Sequence, residues 1–407
     1  MPLFIVICGI VLLFLLIAVF KLNAFISFII ACLVVGIFQG MELESIIQSI
    51  QKGIGSTLGF LVLILGLGAM LGKLVADSGA AQRITSRLVD SFGIKNIQWA
   101  VVLAGFIVGI PMFYTVGFVI LIPLVFTVAA ATQLPLIYVG LPMLASLSVT
   151  HGFLPPHPAP TAIADMFDAS IGKTLLYGII VAIPAIIIAG PLFSRTIKKI
   201  KATPLPEFFN PRVMKDEEMP NMGTSILTAL LHVILIGFST ILEYLLPMDF
   251  PFKTLLVFIG NPVMAMLISV LVAIYTLGLA RGKKMTEVMD SLAGSISSIT
   301  MVMLIIAGAG ALKQILVDSG VSDYIGGLLS ESSISPLLLA WLIATIMRVC
   351  IGSATVAGLT AAGIVLPLVT GSAQVKPELM VLAIGSGSLM LSHVNDGGFW
   401  LFKEYFN

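Results

Sequence analysis

The sequence predicts an all-α polytopic membrane protein made of two inverted-topology repeats that contain re-entrant hairpins and broken helices. Three observations lead to this fold class: the composition, a series of long apolar runs, and two motifs that recur at one spacing. Of the 407 residues, 58% are hydrophobic and 10% are charged, whereas soluble domains carry about 25% charged residues. Because water cannot solvate such a surface, the chain is predicted to cross a lipid bilayer several times.

Apolar runs mark the predicted membrane helices. A transmembrane helix needs about 20 mostly apolar residues. Runs of that kind cover residues 3–20, 57–76, 175–193, 225–246, 255–279 and 299–317, and a shorter run covers residues 24–38.

The chain repeats two polar motifs at nearly the same spacing. Asp77-Ser78-Gly79 recurs as Asp318-Ser319-Gly320, and His151 recurs as His393. The separations are 318 − 77 = 241 and 393 − 151 = 242 residues. Repeated halves in a hydrophobic chain are the usual architecture of secondary transporters, which bind their substrate between the halves near the middle of the bilayer. Transport is therefore the leading functional hypothesis.

The repeat also predicts the domain organisation. Residues 1–194 form the first transmembrane repeat, residues 195–223 a cytoplasmic linker, and residues 224–407 the second transmembrane repeat. We expect the proline-containing linker to be a tether and not a folded domain. The counterpart of the run 175–193 begins at 175 + 242 = 417, so we expect the second repeat to lack one C-terminal helix.

The distribution of Lys and Arg predicts the orientation of the repeats, because these residues concentrate in cytoplasmic loops. If the N-terminus lies outside and residues 99–131 and 336–369 form re-entrant hairpins, fourteen Lys and Arg residues fall in loops inside. The loops outside then hold four, namely Lys52, Lys173, Lys253 and Lys376. This bias arises only when the two halves cross the bilayer in opposite directions.

Four interruptions with Gly, Pro or polar residues break the apolar segments, at residues 111–115, 151–160, 352–355 and 392–398. Unwound backbone at membrane depth survives only where it is buried in protein or lines a wet cavity, because unpaired peptide groups are costly in hydrocarbon. With two interruptions in each half, the sequence predicts one cavity that all four of them line.

Arg348 is the most unusual residue within an apolar run. It lies four residues before Gly352, and a charge at the centre of a membrane helix costs about 2.5–3.5 kcal/mol on insertion scales. Arg348 is therefore half of a structural ion pair, a side chain that snorkels to the interface, or, with the N–H groups of the broken helix, a binding site for an anionic substrate.

The interruptions also hold hydroxyl, amide and imidazole groups that suit a hydroxylated substrate. The predicted substrate-binding residues are Arg348, Gly352, Ser353, Thr355, Tyr114, Thr115, Thr150, His151, Ser392, His393 and Asn395. The hydroxyl groups have an alternative role, since Ser and Thr often hydrogen-bond to the backbone of their own helix.

Proton coupling needs a group that can exchange a proton at membrane depth. His151, His393 and Asp396 are the predicted proton-coupling residues, and Asp396 has the alternative role of a helix cap. His157 is expected in a stiff proline-rich loop near the surface. His232 is expected to be a packing histidine on a helix face.

Other functional classes fit the sequence less well. The net charge of +1 favours no nucleic-acid partner. An intramembrane hydrolase would need a nucleophile and base or a metal cluster, and the sequence contains no His-Glu-x-x-His motif. Accordingly, no catalytic residue, metal or cofactor is predicted, and a passive channel is a less favoured alternative.

Three motifs strongly resemble the gluconate permease family, the gluconate:proton symporters of the ion-transporter superfamily, and the resemblance runs from residue 2 to residue 407. The motifs are His151-Gly152-Phe153-Leu154-Pro155-Pro156-His157-Pro158, Arg348 with Gly352-Ser353-Ala354-Thr355-Val356-Ala357, and Ser392-His393-Val394-Asn395-Asp396. The resemblance implies a homodimeric protein of the bacterial inner membrane that imports gluconate or a related small hydroxylated monocarboxylate by proton symport.

One position departs from this family. Its members typically carry Glu after the Phe-Tyr of the first hairpin, but Thr115 follows Phe113-Tyr114 here. A sodium-coupled carboxylate or D-serine transporter is therefore the alternative to a proton-coupled one.

Overall fold

The computed structural model describes residues 2–200, 202, 214–247, 250–297, 299–321, 335–369, 375–393 and 396–406. Within these ranges the backbone forms helices and the turns between them, without a strand. The predicted all-α class is confirmed.

The helices before the linker are α1 (Pro2–Phe14), α2 (Ala24–Phe38), α3 (Leu43–Asp77), α4 (Ala80–Phe92), α5 (Ile97–Gly109), α6 (Tyr114–Thr132), α7 (Leu136–Phe153), α8 (Pro158–Met166), α9 (Ile171–Ile187) and α10 (Phe193–Thr196). Those after it are α11 (Met222–Leu245), α12 (Lys253–Ile259), α13 (Pro262–Ala273), α14 (Met285–Ser297), α15 (Thr300–Asp318), α16 (Pro336–Ile351), α17 (Ala354–Val369), α18 (Pro377–Gly387) and α19 (Gly397–Phe406). Short π-helical segments extend α1, α9 and α13, and 3-10 turns follow at Ile94–Asn96 and Leu279–Arg281.

Several helical stretches are long and apolar enough to cross a membrane. The described ranges contain five of them: Leu136–Met166, Ile171–Thr196, Met222–Glu243, Pro262–Arg281 and Thr300–Asp318. The number rises to seven if two bent helix pairs, within 43–77 and 80–109, each form one span. These lengths agree with the predicted multi-pass protein.

The predicted continuous span over residues 255–279 is wrong. α12 ends at Ile259 and α13 begins at Pro262. The Asn261 side chain caps the new helix by accepting a hydrogen bond from the Val263 N–H at 3.0 Å. Pro262 occupies the first helical position, where its missing N–H costs nothing. The Asn-Pro pair therefore starts a second helix inside the apolar run.

The helices pack into two compact units, and neither unit coincides with a predicted repeat. The first unit comprises Met1–Leu63, Pro158–Thr174 and Thr300–Gly397, and the second comprises Ile64–His157, Leu175–Ile299 and Gly398–Asn407. Each unit thus combines helices from both sequence halves. The division into repeats 1–194 and 224–407 therefore stays a prediction. It does not describe how the helices pack.

In the first unit, α15 packs against α2 and α17, and α8 packs against α17 and α18. Glycine permits the close approach of α15. A Cβ atom on Gly308 would lie 2.7 Å from the Cβ of Phe28, which is fully buried on α2. A Cβ atom on Gly53 of α3 would lie 2.8 Å from the Cα of Ala311. Small residues commonly form such helix contacts in membranes, because they let the backbones approach.

In the second unit, α5 packs against α4 and α7, and α11 packs against α13 and α4. α19 contributes aromatic rings to α6. The ring of Tyr405 lies edge-on to Phe118 with 5.3 Å between the centroids, and the ring of Phe406 lies 6.3 Å from that of Phe126. Edge-to-face pairs of this kind add about 0.5–1.5 kcal/mol to the burial of apolar area.

The repeated Asp-Ser-Gly motif ends two helices in the same way. α3 ends at Asp77 and α15 ends at Asp318. The glycine that follows two residues later has a left-handed backbone in both places, with φ of 75° at Gly79 and 72° at Gly320. Glycine is favoured there because a Cβ atom disfavours positive φ.

Each aspartate of that motif accepts a hydrogen bond from a serine of the other sequence half. Ser291 donates to the Asp77 carboxylate at 2.8 Å, and Ser49 donates to the Asp318 carboxylate at 2.7 Å. The two serines are 291 − 49 = 242 residues apart, so the contacts are equivalent under the repeat. The direction in which each half crosses the bilayer stays a prediction.

Glycine packing at α15 predicts opposite effects for two alanine substitutions on α3. Gly53→Ala should lower the stability by about 1–3 kcal/mol, because its Cβ meets the α15 backbone. Gly55→Ala is the matched control, since no described atom lies within 4 Å of its Cβ position. It should gain up to about 1 kcal/mol from helix propensity. Thermal unfolding of the purified variants in detergent measures both effects, and equal shifts would contradict the packing.

Candidate functional site

The hairpin of the first unit is broken between α16 and α17. α16 ends at Ile351, and the backbone is left-handed at Gly352 with φ of 85°. The break is therefore Gly352-Ser353, and the predicted Thr355 lies in the first turn of α17. Ser353 caps that helix weakly, with its Oγ accepting from the Val356 N–H at 3.4 Å. The sequence therefore located this break correctly to within two residues.

Arg348 is the centre of the polar groups in this unit. It lies in the last turn of α16 and is 4% exposed. Its Nη1 donates to the backbone carbonyl of Gly352, and its Nη2 donates to the carboxylate of Asp396. The ion-pair alternative for Arg348 is thus present in the structure, and the partner is the residue that the sequence selected for proton coupling.

The segment before α19 brings two more predicted residues to the same place. Ser392 donates a hydrogen bond to the Asp396 carboxylate. The Nε2 of His393 lies 2.9 Å from the carbonyl oxygen of Val349, which can only accept, so this ring nitrogen donates. Asn395 lies outside the described residues.

One nitrogen of the Arg348 guanidinium has no protein partner in the described part of the chain and can serve a ligand. Nη1 and Nη2 are occupied, but the buried Nε has no hydrogen-bond partner among the residues that the structure describes. A buried polar group without a partner costs about 1–3 kcal/mol, and more when it is charged. An acceptor that reached Nε would remove that cost.

The hairpin of the second unit is broken between α5 and α6. α5 ends at Gly109 and α6 begins at Tyr114. Tyr114 packs its ring at 6.1 Å from that of Phe118, and Thr115 is exposed in the first turn of α6. The predicted break at 111–115 is therefore confirmed at its first three positions, whereas Tyr114 and Thr115 are helical.

The second broken segment of this unit begins later than predicted. His151 lies in the last turn of α7, which continues to Phe153, so the break covers residues 154–157. The His151 ring lies edge-on to two neighbours, 6.4 Å from the ring of Phe113 and 5.1 Å from that of His157. His151 and Phe113 thus bring the two breaks of this unit together.

His157 is buried, and its predicted location in a surface loop is wrong. It is 4% exposed, and its Nε2 lies 2.8 Å from the carbonyl oxygen of Gly109 at the end of α5. The proline residues around His157 stiffen the segment. The segment is nevertheless buried among the helices and does not form a surface loop.

Two further predictions differ in detail. Thr150 is fully buried and donates to the Leu147 carbonyl at 3.0 Å, so its hydroxyl serves its own helix. His232 packs on α11 as expected, but neither of its ring nitrogens has a hydrogen-bond partner within the described ranges. That all four breaks line one cavity stays a prediction.

Sequence reasoning passed over Lys313, a charged residue inside a predicted span. Lys313 lies on α15, within the run 299–317, and donates from Nζ to the carbonyl of Met166 at 3.1 Å. Met166 is the last residue of α8, and a cation stabilises the C-terminal end of a helix. A lysine in an apolar run is the same signal that singled out Arg348.

Metal ligands do not gather in this protein as far as it is described: no group of three or more His, Cys, Asp or Glu side chains could hold an ion. Apolar helices long enough to cross a membrane, with polar breaks between them, define a multi-pass membrane protein, and its family and relatives make it a transporter of the inner membrane and not an enzyme. The chain belongs to the GntP permease family, since the family described as GntP family permease matches residues 1–407.

Curated relatives agree with this family over the whole chain. A high-affinity gluconate transporter of Escherichia coli strain K12 is 55% identical, with 100% of this chain and 93% of the relative covered. The Gnt-II system L-idonate transporter of the same strain is 51% identical over 100% and 92%. A gluconate permease of Bacillus licheniformis is 50% identical over 100% and 93%. The predicted family is confirmed.

Two solved transporters share the fold. The YdaH transporter of Alcanivorax borkumensis matches with a TM-score of 0.67 at 17% identity, covering 94% of this chain and 90% of its own. MtrF of Neisseria gonorrhoeae matches with a TM-score of 0.64 at 17% identity, over 94% and 88%. At this identity the likeness concerns the fold alone.

The two buried histidines of the second unit should respond differently to substitution by leucine. His157→Leu leaves the Gly109 carbonyl with a 3.4 Å contact from the Met112 N–H, which should cost about 1–3 kcal/mol of stability. His232→Leu removes a buried polar ring without a hydrogen bond and should be neutral or stabilising. Thermal unfolding in detergent compares the variants, and an equal loss in both would contradict the assigned contact.

Proposed function

We propose that this protein imports gluconate, or a closely related small hydroxylated monocarboxylate, by proton symport across the bacterial inner membrane. Relatives named for gluconate and L-idonate, 50–55% identical over the whole chain, support the substrate class. The observation that carries the mechanism is the ion pair between the buried Arg348 and the partly exposed Asp396.

The first step is an exchange of carboxylates at Arg348. A guanidinium binds a planar carboxylate through two parallel N–H bonds better than any other side chain does. Nε and one terminal nitrogen of Arg348 can present such a pair of donors. The substrate carboxylate therefore replaces Asp396, which lies 17% exposed at the edge of the pair.

The second step is the uptake of a proton by Asp396. A carboxylate that has lost its cation partner in a buried place is unfavourable as an ion, and protonation removes the charge. The empty site carries one positive group, Arg348, and one negative group, Asp396. The loaded site also carries one of each, because Asp396 is neutral and the substrate anion supplies the negative charge. Equal charge lets both forms cross between the two access states at similar electrostatic cost.

Hydroxyl groups near the pair suit the polyol part of the substrate. Ser353 and Thr355 are partly exposed at the start of α17, and Ser392 and His393 flank Asp396. We assign substrate contacts to them within the first unit. Tyr114, Thr115 and His151 of the second unit remain candidates for the same role, and His151 and His393 for proton transfer.

Uptake of labelled gluconate into proteoliposomes tests the proposal. An inward proton gradient should drive accumulation above the outside concentration, and a sodium gradient at equal pH should not. Accumulation driven by sodium alone would instead establish the sodium-coupled alternative. Uptake without accumulation under either gradient would indicate a channel.

The carboxylate exchange predicts the effect of Arg348→Ala. Loss of a buried charge-assisted contact is worth about 2–5 kcal/mol, so gluconate affinity should fall at least about 30-fold. Arg195→Ala, which removes an exposed arginine at the end of α10, is the matched control and should bind normally. Isothermal titration in detergent measures both, and unchanged affinity in Arg348→Ala would remove its assigned role.

Proton coupling predicts a different phenotype for Asp396→Asn. The amide can release Arg348 to the substrate but carries no exchangeable charge, so exchange of internal for external gluconate should persist while proton-driven accumulation is lost. Asp90→Asn, at an exposed position of α4, should keep both activities. If Asp396→Asn still accumulates gluconate against its gradient, another residue carries the proton.

We also propose a homodimer, on the strength of the superfamily resemblance. Light scattering of the detergent-solubilised protein, corrected for bound detergent, should give twice the 43.1 kDa mass of the chain. A single-chain mass would contradict the dimer.

A further inference from the structure

We call residues 214–220, which immediately precede the N-cap Asn221 of α11, the clasp. This part of the linker packs on α4, in contrast to the tether expected from the sequence. All of its contacts described below lie within the second unit.

Arg83 of α4 holds the middle and the end of the clasp. The side chain is 5% exposed. Nε donates to the Pro220 carbonyl at 2.8 Å, Nη1 donates to the Asp216 carboxylate at 2.6 Å, and Nη2 donates to the Asp216 carbonyl. One segment therefore satisfies donors on all three nitrogens of a buried guanidinium.

Two further polar contacts fix the rest of the clasp. The Gln82 side chain accepts from the Met214 N–H at 3.2 Å and donates to the Met214 carbonyl at 3.4 Å. Arg281, in the 3-10 turn that follows α13, donates to the Glu217 carbonyl at 2.9 Å. The clasp thereby joins α4 to α11 and to the end of the α13 segment.

Apolar side chains close the contact at the left-handed turn before α4. A Cβ atom on Gly79 would lie 2.7 Å from the Sδ of Met214 and 2.9 Å from the Cγ of Met219. At the repeated turn, no described atom lies within 4 Å of a Cβ on Gly320. The two methionines of the clasp therefore pack directly against the Gly79 turn.

α4 is the element that the clasp positions. It passes through the turn Ile94–Asn96 into α5, the first arm of the hairpin, with an angle of 112° between the two helices. α4 also packs directly against α5 and α6. A tilt of α4 would therefore move both arms of the hairpin, including the carbonyl of Gly109 that His157 binds.

We propose that Arg83 is a positioning residue for transport. By anchoring the clasp, it fixes α4, and through α4 the hairpin of α5 and α6, to the helices that begin at α11. The clasp stays closed through the transport cycle. This inference rests on the proposed function only in the choice of gluconate as the transported probe.

The first measurement is the initial rate of gluconate uptake by Arg83→Gln in proteoliposomes. The maximal rate should fall about tenfold or more while KM stays within about twofold, because the hairpin is misplaced but Arg348 and the hydroxyl groups of the first unit, to which we assign the substrate, keep their own contacts. Arg87→Gln is the matched control. Arg87 also contacts Asp216, at 3.4 Å, but its side chain is 52% exposed, so uptake should stay within about twofold of the unsubstituted protein.

A covalent bridge separates positioning from a folding defect. Gln82→Cys and Met214→Cys are added to Arg83→Gln after Cys8, Cys32 and Cys350 are replaced by alanine. A short thiol-reactive reagent with two methanethiosulfonate groups then bridges the new cysteines in the reconstituted protein. The bridge should restore the maximal rate at least about fivefold, and a reductant should abolish the gain. Single-cysteine variants treated in the same way should show no gain.

Three results would overturn the proposal: an unchanged maximal rate in Arg83→Gln, a bridge that fails to restore it, or a bridge that stops uptake when Arg83 is present. If Arg83→Gln does not yield folded protein, Asp216→Ala removes the exposed partner instead, with the same expected results.

Trypsin provides a readout that does not depend on the substrate. Cleavage after Lys215 within the clasp should be about tenfold faster in Arg83→Gln, because the segment opens more often. Unchanged cleavage would contradict the clasp even if the protein transported no gluconate. Absence of gluconate uptake by the unsubstituted protein, with slow cleavage, would contradict only the proposed function.

Discussion

Lipid offers no hydrogen bonds, so every helix that stops at membrane depth must find its partners within the protein. Both hairpins meet this constraint with a side chain that donates to a carbonyl at the end of the first arm. Arg348 and His393 do so beside α16, and His157 does so at the end of α5. The polar groups that attract attention in the sequence therefore first hold the unwound backbone in place. Substrate recognition has to use the polar groups that these contacts leave available.

The pair of Arg348 and Asp396 shows how one contact can serve both purposes. Arg348 satisfies the break at Gly352 through one nitrogen and Asp396 through another. A buried arginine without a counter-charge would be strongly destabilising. The aspartate therefore stabilises the protein through this ion pair. In the proposed mechanism a substrate anion takes over that role when the aspartate is neutralised, so structural integrity and the proposed ion coupling would depend on the same electrostatic balance.

The sequence predicted the class, the family, the approximate positions of the breaks and the buried arginine, because these depend on composition and local pattern. The sequence left open whether Arg348 forms a structural ion pair or binds an anionic substrate. In the structure Asp396 is its ion-pair partner. The predicted location of His157 was wrong, because a proline-rich motif is typical of a surface loop. Only the tertiary packing buries this segment. The sequence left two roles open for Thr150, and the structure shows the bond to its own helix at Leu147 while the substrate contact stays a prediction. Whether a polar side chain bonds to its own helix or to another group depends on neighbours that are distant in the chain.

Because each packing unit contains helices from both sequence halves, neither is complete when only the first half has been synthesised. α2 cannot pack against α15, whose Gly308 fits against Phe28, before α15 has been made. Likewise, Asp77 cannot accept from Ser291 before α14 has been made. Domains usually fold in order of synthesis. Here the packing partners of early helices are made late, so neither unit can complete its packing until helices of the second sequence half have been inserted.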